Sequence, residues 1–293
     1  MSNYSIKDLE SLSGIKAHTL RIWEQRYNIL NPKRSDSNIR FYDDVDLKLV
    51  LNISLLKENG HKISEIAKLT SDELSNEVLN ISDQHLSYPD QIHALTIAMI
   101  DMDEERFEKV MATNVLQFGF ENTMINIIYP FLTRIGTLWL TGSIGPAHEH
   151  FIINLVRQKM VVAIDGQVIR ASENSKKFIL YTPEGEYHEI GLLFASYILR
   201  ARNNKVVYLG QSLPLAELNH VVDFHKPDYI YTAITSTPGQ EDVQNYLKKL
   251  ADNFSEYSIL VTGHQVIGQG LELNKNVEVI PSIKYLMDIA NGN

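Results

Sequence analysis

The sequence predicts a multidomain chain of mixed α and α/β class, with a winged helix-turn-helix first, a helical bundle next and a doubly wound parallel sheet last. Three observations predict this order. The chain has 293 residues, about twice the usual length of one domain. Its apolar residues follow a helical period as far as residue 171, and from there short apolar runs alternate with helices. We therefore expect domains at 1–72, 73–172 and 173–293.

The composition is that of an ordinary globular protein, with 44% hydrophobic and 22% charged residues. The absence of cysteine excludes disulfides, cysteine-ligated zinc, iron–sulfur clusters and thiol catalysis. Residues 1–10 lack the apolar core of a secretory signal. No stretch reaches the roughly 18–20 uncharged apolar residues of a membrane span. These features predict a cytoplasmic protein without a membrane partner.

The charge is unevenly distributed along the chain. The net charge is −9, but residues 1–70 carry +2 and the remainder −11. Between Lys16 and Arg40 there are six basic and only two acidic residues. A basic surface on an acidic protein is compatible with a nucleic-acid partner.

The first 70 residues predict two short helices, a hairpin and a longer helix. Ser5 caps a helix over 6–12, Gly14 supplies a turn, and a second helix covers 17–27. In the second helix one face is apolar and the other polar, with Leu20, Trp23 and Tyr27 opposite His18, Arg21 and Gln25. A polar turn at 30–38 and a strand at 39–42 form the hairpin, Asp43 caps a helix to about 59, and a short helix covers 63–69.

The middle of the chain predicts a bundle of helices at 71–81, 89–99, 103–118, 121–139 and 147–169, with Pro130 kinking or breaking the fourth. The last part alternates strands at 178–182, 205–209, 229–235, 258–262 and 277–280 with helices at 188–203, 215–225, 241–253 and 283–290. This alternation indicates a Rossmann-like, doubly wound parallel sheet. Ligands of such sheets bind at the carboxyl ends of the strands, where we expect loops 183–191, 235–239 and 263–265 to gather.

The N-terminal segment has the chemistry of a DNA reader. A recognition helix presents donors to base edges, and a wing grips the phosphate backbone. Residues 4–70 resemble the MerR family in TLRIWEQRYNIL (19–30), PKR (32–34) and NIRFY (38–42). The resemblance implies a double-stranded DNA operator, a homodimer or homotetramer, and contacts from Lys16, His18, Thr19, Arg21, Arg26, Tyr27, Arg34, Arg40 and Tyr42. Each of these residues has an alternative reading as a solvated charge or a packing residue.

Three patches in the rest of the chain resemble the CarH/LitR-type photoreceptor regulators, a cobalamin-dependent branch of that family. They are Glu186-x-His188-x-x-Gly191 in EGEYHEIG, Trp139 followed after nine residues by Glu149-His150, and the strand-end pair Ala233-x-Thr235 with Gly263-His264. A neutral imidazole at a strand end can ligate cobalt while a carboxylate holds its other nitrogen.

The resemblance assigns a role to each patch. His188 is the axial cobalt ligand, Glu186 its support and Gly191 the residue that lets a helix approach the corrin. Trp139, Glu149 and His150 cover the upper face of adenosylcobalamin or another cobalamin, and Thr235 and Gly263 line the tunnel for its nucleotide tail.

Two residues depart from the pattern: Ala233 replaces the usual Ser, and His264 stands where a second small residue is usual. They leave open the alternative that the last domain no longer binds corrin and serves dimerisation or a protein partner. An enzyme of the cobalamin mutase or methyltransferase type would need a separate substrate domain, for which the chain has no room. The sequence thus predicts a regulator that is not an enzyme, a repressor controlled by cobalamin, with light as a candidate signal.

Overall fold

The structure is a computed structural model that describes residues 4–30, 32–34, 40–58, 60–70, 73–74, 77–78, 88–140, 144–168, 170, 175–239 and 242–292. The chain divides into two compact units, Met1–Leu155 and Val156–Asn293, with the boundary inside one helix. The three-domain division at 1–72, 73–172 and 173–293 stays a prediction.

The first unit begins with the elements expected of a winged helix-turn-helix. They are α1 Ile6–Ser13, α2 Ala17–Tyr27, β1 Lys33–Arg34, β2 Arg40–Phe41, α3 Asp44–Glu58 and α4 Ile63–Ile66. Ser5 and Asp8 form a reciprocal capping box at the start of α1, as a serine at that position favours. Gly14, with a φ of 72°, makes the turn between α1 and α2 in a conformation that glycine adopts without strain. The predicted bounds of α2 are confirmed, whereas α4 ends three residues before the predicted position.

A short antiparallel hairpin and one bridge close the winged part. In the hairpin Lys33 lies opposite Phe41, and Arg34 lies opposite Arg40. Tyr4 and Tyr42 exchange two backbone hydrogen bonds of 2.8 and 2.9 Å. Both tyrosines are fully buried and join the apolar core of this part, which includes Leu9, Leu20, Trp23, Leu30, Leu47 and Leu51.

The chain continues with helices α5 Tyr88–Asp101, α6 Glu104–Thr123 and α7 Tyr129–Leu140 and with a π-helical turn at Met124–Ile128. Helix α8 Pro146–Asp165 follows, and its residues from Val156 onward belong to the second unit. The predicted break after residue 118 corresponds to Gly119, whose φ of 77° and ψ of 161° interrupt α6. The predicted helix 121–139 is wrong as a single α-helix, because the π turn precedes Pro130. Proline has no N–H to donate, and the N–H of Tyr129 bonds to the Met124 carbonyl five residues back.

Two other helix predictions of this region have different outcomes. The helix predicted over 147–169 ends at Asp165. The helix predicted over 71–81 lies largely outside the described residues, of which 73–74 and 77–78 are helical.

The second unit is the predicted doubly wound sheet. Its elements are β3 Lys177–Pro183, α9 Ile190–Ala201, β4 Lys205–Leu213, α10 Leu215–His225, β5 Tyr229–Ala233, α11 Val243–Asn253, β6 Ser258–Thr262, β7 Val277–Val279 and α12 Ile283–Asn291. Among the described residues, five parallel strands lie in the order β4-β3-β5-β6-β7. The chain leaves β3 for a neighbour on one side and later returns to its other side, so the carboxyl end of β3 is a topological switch point.

Several boundaries in this unit differ from the sequence prediction, among them the end of the strand predicted over 229–235, which stops at Ala233, and the start of the helix predicted over 241–253, which begins at Val243. The strand predicted over 205–209 continues to Leu213, because the ladder shifts register between Leu180 and Tyr181 and the chain passes Gly210 and Ser212 with φ of 81° and 56°. The helix predicted from 188 begins at Ile190. His188 therefore lies in the turn after β3, before the helix.

Among the described residues, we find no helix that is both long enough and apolar enough to span a bilayer.

Candidate functional site

Helix α2 presents a polar face and buries an apolar one. Leu20 and Trp23 are buried, whereas His18, Arg21 and Arg26 are exposed and Thr19 is half-buried. Lys16, just before the helix, is 70% exposed and pairs with Glu10 at 3.0 Å. The division of faces is the one that a helix needs if it is to enter a DNA groove.

The hairpin next to α2 carries a like-charge pair. Arg34 and Arg40 are directly opposite across the two strands, and both are exposed. Directly opposed like charges destabilise a strand pair. The Arg40 guanidinium lies 3.7 Å from Glu24 of α2, which offsets part of the repulsion.

The two tyrosines of the predicted DNA surface are placed differently from its basic residues. Tyr42 is fully buried, and its hydroxyl donates to Glu24 at 3.4 Å. Burial and the nearby Glu24 charge raise the pKa of Tyr42 to about 12. Tyr27 is half-buried, with the Arg26 guanidinium 5.4 Å from its ring centre. A DNA contact by either tyrosine stays a prediction.

The turn after β3 holds a fully buried carboxylate at the switch point. Glu186 Oε2 accepts the N–H groups of Thr235, Ser236 and Thr237 at 2.9, 2.5 and 3.0 Å. These residues follow β5, the strand beside β3. The loops 183–191 and 235–239 are thus joined, as the sequence predicted.

The other oxygen of this carboxylate holds His188. Glu186 Oε1 lies 2.6 Å from His188 Nδ1 and accepts the His188 N–H at 2.9 Å. Burial acts to raise the pKa of Glu186, but hydrogen bonds from the imidazole and from the amides of Ser236, Thr237 and His188 outweigh burial, so its pKa lies well below the ordinary value.

The ionised carboxylate fixes the tautomer of the imidazole. A carboxylate accepts and does not donate, so Nδ1 carries the proton and the neutral ring has its lone pair on Nε2. The His188 side chain is 57% exposed, whereas that of Glu186 is 0% exposed. The arrangement is a buried anion that supports an accessible nitrogen donor, the form of a metal-ligating histidine with its supporting partner.

Gly263 brings the end of β6 against the end of β5. A β-carbon at position 263 would lie 2.2 Å from the carbonyl oxygen of Ile234. The residue next to Ile234 is Thr235, whose amide binds Glu186. Of the two residues that depart from the family pattern, Ala233 is buried in β5 and His264 is exposed.

Sequence reasoning missed several residues of this site. Ser236 and Thr237 bind Glu186 beside the predicted Thr235. Thr182 donates to the Glu186 carbonyl at 2.7 Å and accepts the Ser212 amide at 3.0 Å. A serine or threonine in each of the three chain segments near the switch point was the available signal.

A second buried carboxylate follows His188. Glu189 Oε1 accepts Arg157 Nε at 2.5 Å, and its Oε2 accepts the Tyr208 hydroxyl at 2.9 Å. The hydrogen bond to Glu189 and its charge raise the pKa of Arg157. Burial and the Glu189 charge raise the pKa of Tyr208 well above its ordinary value. Gly191, two residues later, lies in the first turn of α9.

The predicted upper-face residues lie on two helices of the bundle. Trp139 is in α7, and its side chain lies outside the described part of the structure. Glu149 is half-buried and His150 exposed in the first turns of α8. That these three residues and His188 form one site stays a prediction.

The donor set fits a corrin. Among the described residues, no group of three or more His, Asp or Glu side chains is placed to hold a metal ion. A corrin brings four nitrogen donors of its own, so one axial imidazole is the protein ligand that it needs. His188, held by Glu186, has the chemistry that such a ligand needs, and Gly263 leaves no β-carbon at the adjoining strand ends.

The described elements define a protein with a winged helix-turn-helix, a helical bundle and a doubly wound α/β unit. Residues 4–73 match the family model described as MerR HTH family regulatory protein. Residues 91–163 match the model described as B12 binding domain. The chain therefore combines a MerR-type helix-turn-helix domain with a B12-binding domain.

Two curated relatives cover most of the chain. The HTH-type transcriptional repressor CarH of Myxococcus xanthus is 26% identical over 253 residues, 84% of each chain. The repressor CarA of the same organism is 24% identical over 260 residues, 88% of this chain and 85% of that one. The chain is homologous to both repressors.

A solved structure shares the fold. The monomethylamine corrinoid protein of Methanosarcina barkeri has a TM-score of 0.55 at 12% identity, covering 67% of this chain and 94% of that one. The match confirms the predicted α/β architecture.

Proposed function

We propose that this chain is a DNA-binding transcriptional repressor whose occupancy of its operator is controlled by cobalamin bound through His188. The observation that carries the proposal is the Glu186–His188 pair, in which a buried, hydrogen-bonded carboxylate fixes the imidazole tautomer and leaves the lone pair on an exposed ring. The MerR-type domain on the same chain would bind the operator.

The like-charge pair of the hairpin supports the proposal that the winged part binds DNA. A phosphate group beside Arg34 and Arg40 would offset their repulsion, since it supplies an anion that both guanidinium groups can approach. Exposed His18 and Arg21 of α2 would face base edges, and Lys16 and Arg26 the backbone. One winged module buries little surface, so we propose a homodimer or homotetramer on double-stranded DNA.

In the proposed cobalamin site each residue has one role. His188 Nε2 would be the axial donor, Gly191 would allow α9 to approach the ring, and Thr235 and Gly263 would line the path of the nucleotide tail. Trp139, Glu149 and His150 would cover the opposite face. Adenosylcobalamin, the proposed form, supplies a light-labile cobalt–carbon bond when bound. Glu186 keeps the proton on Nδ1 and strengthens Nε2 as a donor.

The test is an absorbance titration of the full chain with adenosylcobalamin in the dark. We expect a stoichiometric corrin spectrum that shows histidine ligation, and in His188→Ala the spectral signature of histidine ligation should be lost. His220→Ala is the matched control, because His220 is exposed on α10 of the same unit. If wild-type protein binds no corrin well above micromolar concentration, the cobalamin role is wrong, and the second unit serves dimerisation or a protein partner.

Green light and gel filtration extend the test to the signal. A change of assembly size on illumination of the cobalamin-loaded protein, with a parallel loss of operator binding, supports control by light. An assembly that is unchanged by light but differs between apo and loaded protein indicates that cobalamin itself is the signal.

A further inference from the structure

Glu189 is a buried carboxylate with no part in holding the imidazole of its neighbour. It is 7% exposed, and each of its oxygens has a partner, Arg157 Nε at 2.5 Å and the Tyr208 hydroxyl at 2.9 Å. Burying a carboxylate costs several kcal/mol unless such partners compensate it. Glu189 is therefore a buried anion that depends on both partners, although the Arg157 side chain itself is 48% exposed.

This carboxylate anchors one end of the segment that carries His188. At the other end Glu186 is bound by the amides of Thr235, Ser236 and Thr237. Glu189 directly precedes α9, and its carbonyl accepts the Leu193 amide at 2.8 Å. Arg157 comes from α8 and Tyr208 from β4, so three elements meet at residue 189. His188 thus lies between two anchored carboxylates.

We propose that Glu189, held by Arg157 and Tyr208, is a positioning residue that fixes the backbone of residues 188–190 and so aims His188 Nε2 at cobalt. The inference rests on the proposed function of His188. A ligand must be held to within about 0.5 Å of the productive position. The hydrogen bond between Nδ1 and Glu186 fixes the rotation of the ring. The contacts of Glu189 fix the position of the backbone from which the side chain of His188 extends.

The alternative role of the three residues is to stabilise the fold alone. The two roles differ in what they change. Loss of a purely structural contact lowers the free energy of unfolding and leaves the ratio of histidine-ligated to unligated cobalamin unchanged. Loss of a positioning contact lowers the ratio of histidine-ligated to unligated cobalamin in protein that is folded and loaded.

The experiment compares Arg157→Met, Glu189→Gln and Tyr208→Phe with wild type in the full chain. Lys176→Met is the matched control, because it removes an ion pair of the same unit, with Asp228 at 3.9 Å, away from His188. The readout is the ratio of ligated to unligated cobalamin from the absorbance spectrum, with His188→Ala as the unligated reference. The urea midpoint is measured beside it.

We expect the ratio to fall about tenfold in Arg157→Met and Glu189→Gln, the usual size of an effect on a ligand's supporting partner. Tyr208→Phe, which keeps the Arg157 bond, should fall less, and Lys176→Met should match wild type. A lowered urea midpoint with an unchanged ratio in the first two variants would overturn the positioning role while the proposed function stands.

A measurement on apoprotein separates the two hypotheses if wild type binds no corrin. Amide hydrogen exchange at residues 188–190 should be faster in Arg157→Met than in Lys176→Met, since one anchor of the segment is removed. Equal exchange in the two variants would overturn the clamp independently of cobalamin.

Discussion

The backbone of Gly263 packs against that of Ile234 so closely that a β-carbon at residue 263 would stand 2.2 Å from the Ile234 carbonyl oxygen and 2.6 Å from its carbon. Ile234 directly follows β5, and the next three residues hold Glu186. The contact at Gly263 therefore sets where the amides of that loop stand. The hydrogen bonds that hold Glu186, and through it His188, therefore depend on a glycine that follows β6, two strands away from β3.

Gly263→Ala should destabilise the second unit by about 2–4 kcal/mol, the sum of a backbone clash and a left-handed conformation at φ of 110°. Gly268→Ala is the control, because it has φ of 74° but nothing within 4 Å of the added carbon, and should cost only about 1 kcal/mol. Urea unfolding followed by circular dichroism measures both. Equal losses would show that the close approach is readily relieved.

Glu186→Gln should remove the constraint that keeps the proton of the His188 ring on Nδ1. An amide offers one acceptor oxygen and an NH₂ group, so it cannot accept from all the donors that the carboxylate serves. We expect nitrogen NMR to show the proton shared between Nδ1 and Nε2 of His188, and a stability loss of at least about 2 kcal/mol. Glu184→Gln, exposed in the same turn, should retain the wild-type spectrum.

Arg34→Ala and Arg40→Ala should each weaken binding to a random-sequence DNA duplex and reduce the slope of log affinity against log salt by about 0.9, the value for one phosphate contact. Free-protein stability should change little, because each substitution also removes the repulsion across the hairpin. Lys7→Ala, exposed on α1, is the control. A salt slope equal to that of wild type would exclude the hairpin from the DNA interface.

His93 should make the first unit sensitive to acid. It is buried in α5, with Nε2 2.6 Å from the Leu51 carbonyl, and burial, with the nearby Arg134 charge, lowers its pKa to about 4 from 6.5. The unfolded state takes up the proton first, so this contribution is complete above pH 6.5 and declines as pH falls towards 4, by about 3 kcal/mol in all.

His93→Gln keeps an N–H donor and removes the titration, so its stability should vary less between pH 7 and 4 than that of wild type. Trp23 and Trp139 both lie in the first unit, and tryptophan fluorescence therefore reports its unfolding. The exposed His220→Gln should keep the wild-type pH dependence. An identical pH dependence in His93→Gln would mean that His93 is solvated or charged in the folded state.

The sequence predicted those parts of the structure that depend on residues close together in the chain. The bounds of α2, α10 and β6 follow from apolar period and turn residues, and the gathering of strand-end loops follows from the parallel sheet. Glu186 and His188 were found because both lie in one short motif.

Contacts between distant segments were not predictable in this way. Nothing near Arg157 in the sequence indicates that it binds Glu189, 32 positions later. Tyr42 was expected at the DNA surface, and its bridge to Tyr4 and bond to Glu24 depend on chain segments 38 and 18 residues away. The continuation of β4 past Gly210 likewise depends on a register shift against β3.

The π turn at Met124–Ile128 sets the rotational phase of α7, the helix that continues directly from it. Each residue of an α-helix advances the chain by about 100°. One extra residue in the wide turn therefore rotates α7 by about that angle relative to residues 120–123, the part of α6 that follows Gly119. Phe131 and Ile135, both buried in α7, reach the core in this phase. Deleting one residue from the turn would rotate both away from the core. Apolar residues before and after the turn thus follow two helical registers rather than one.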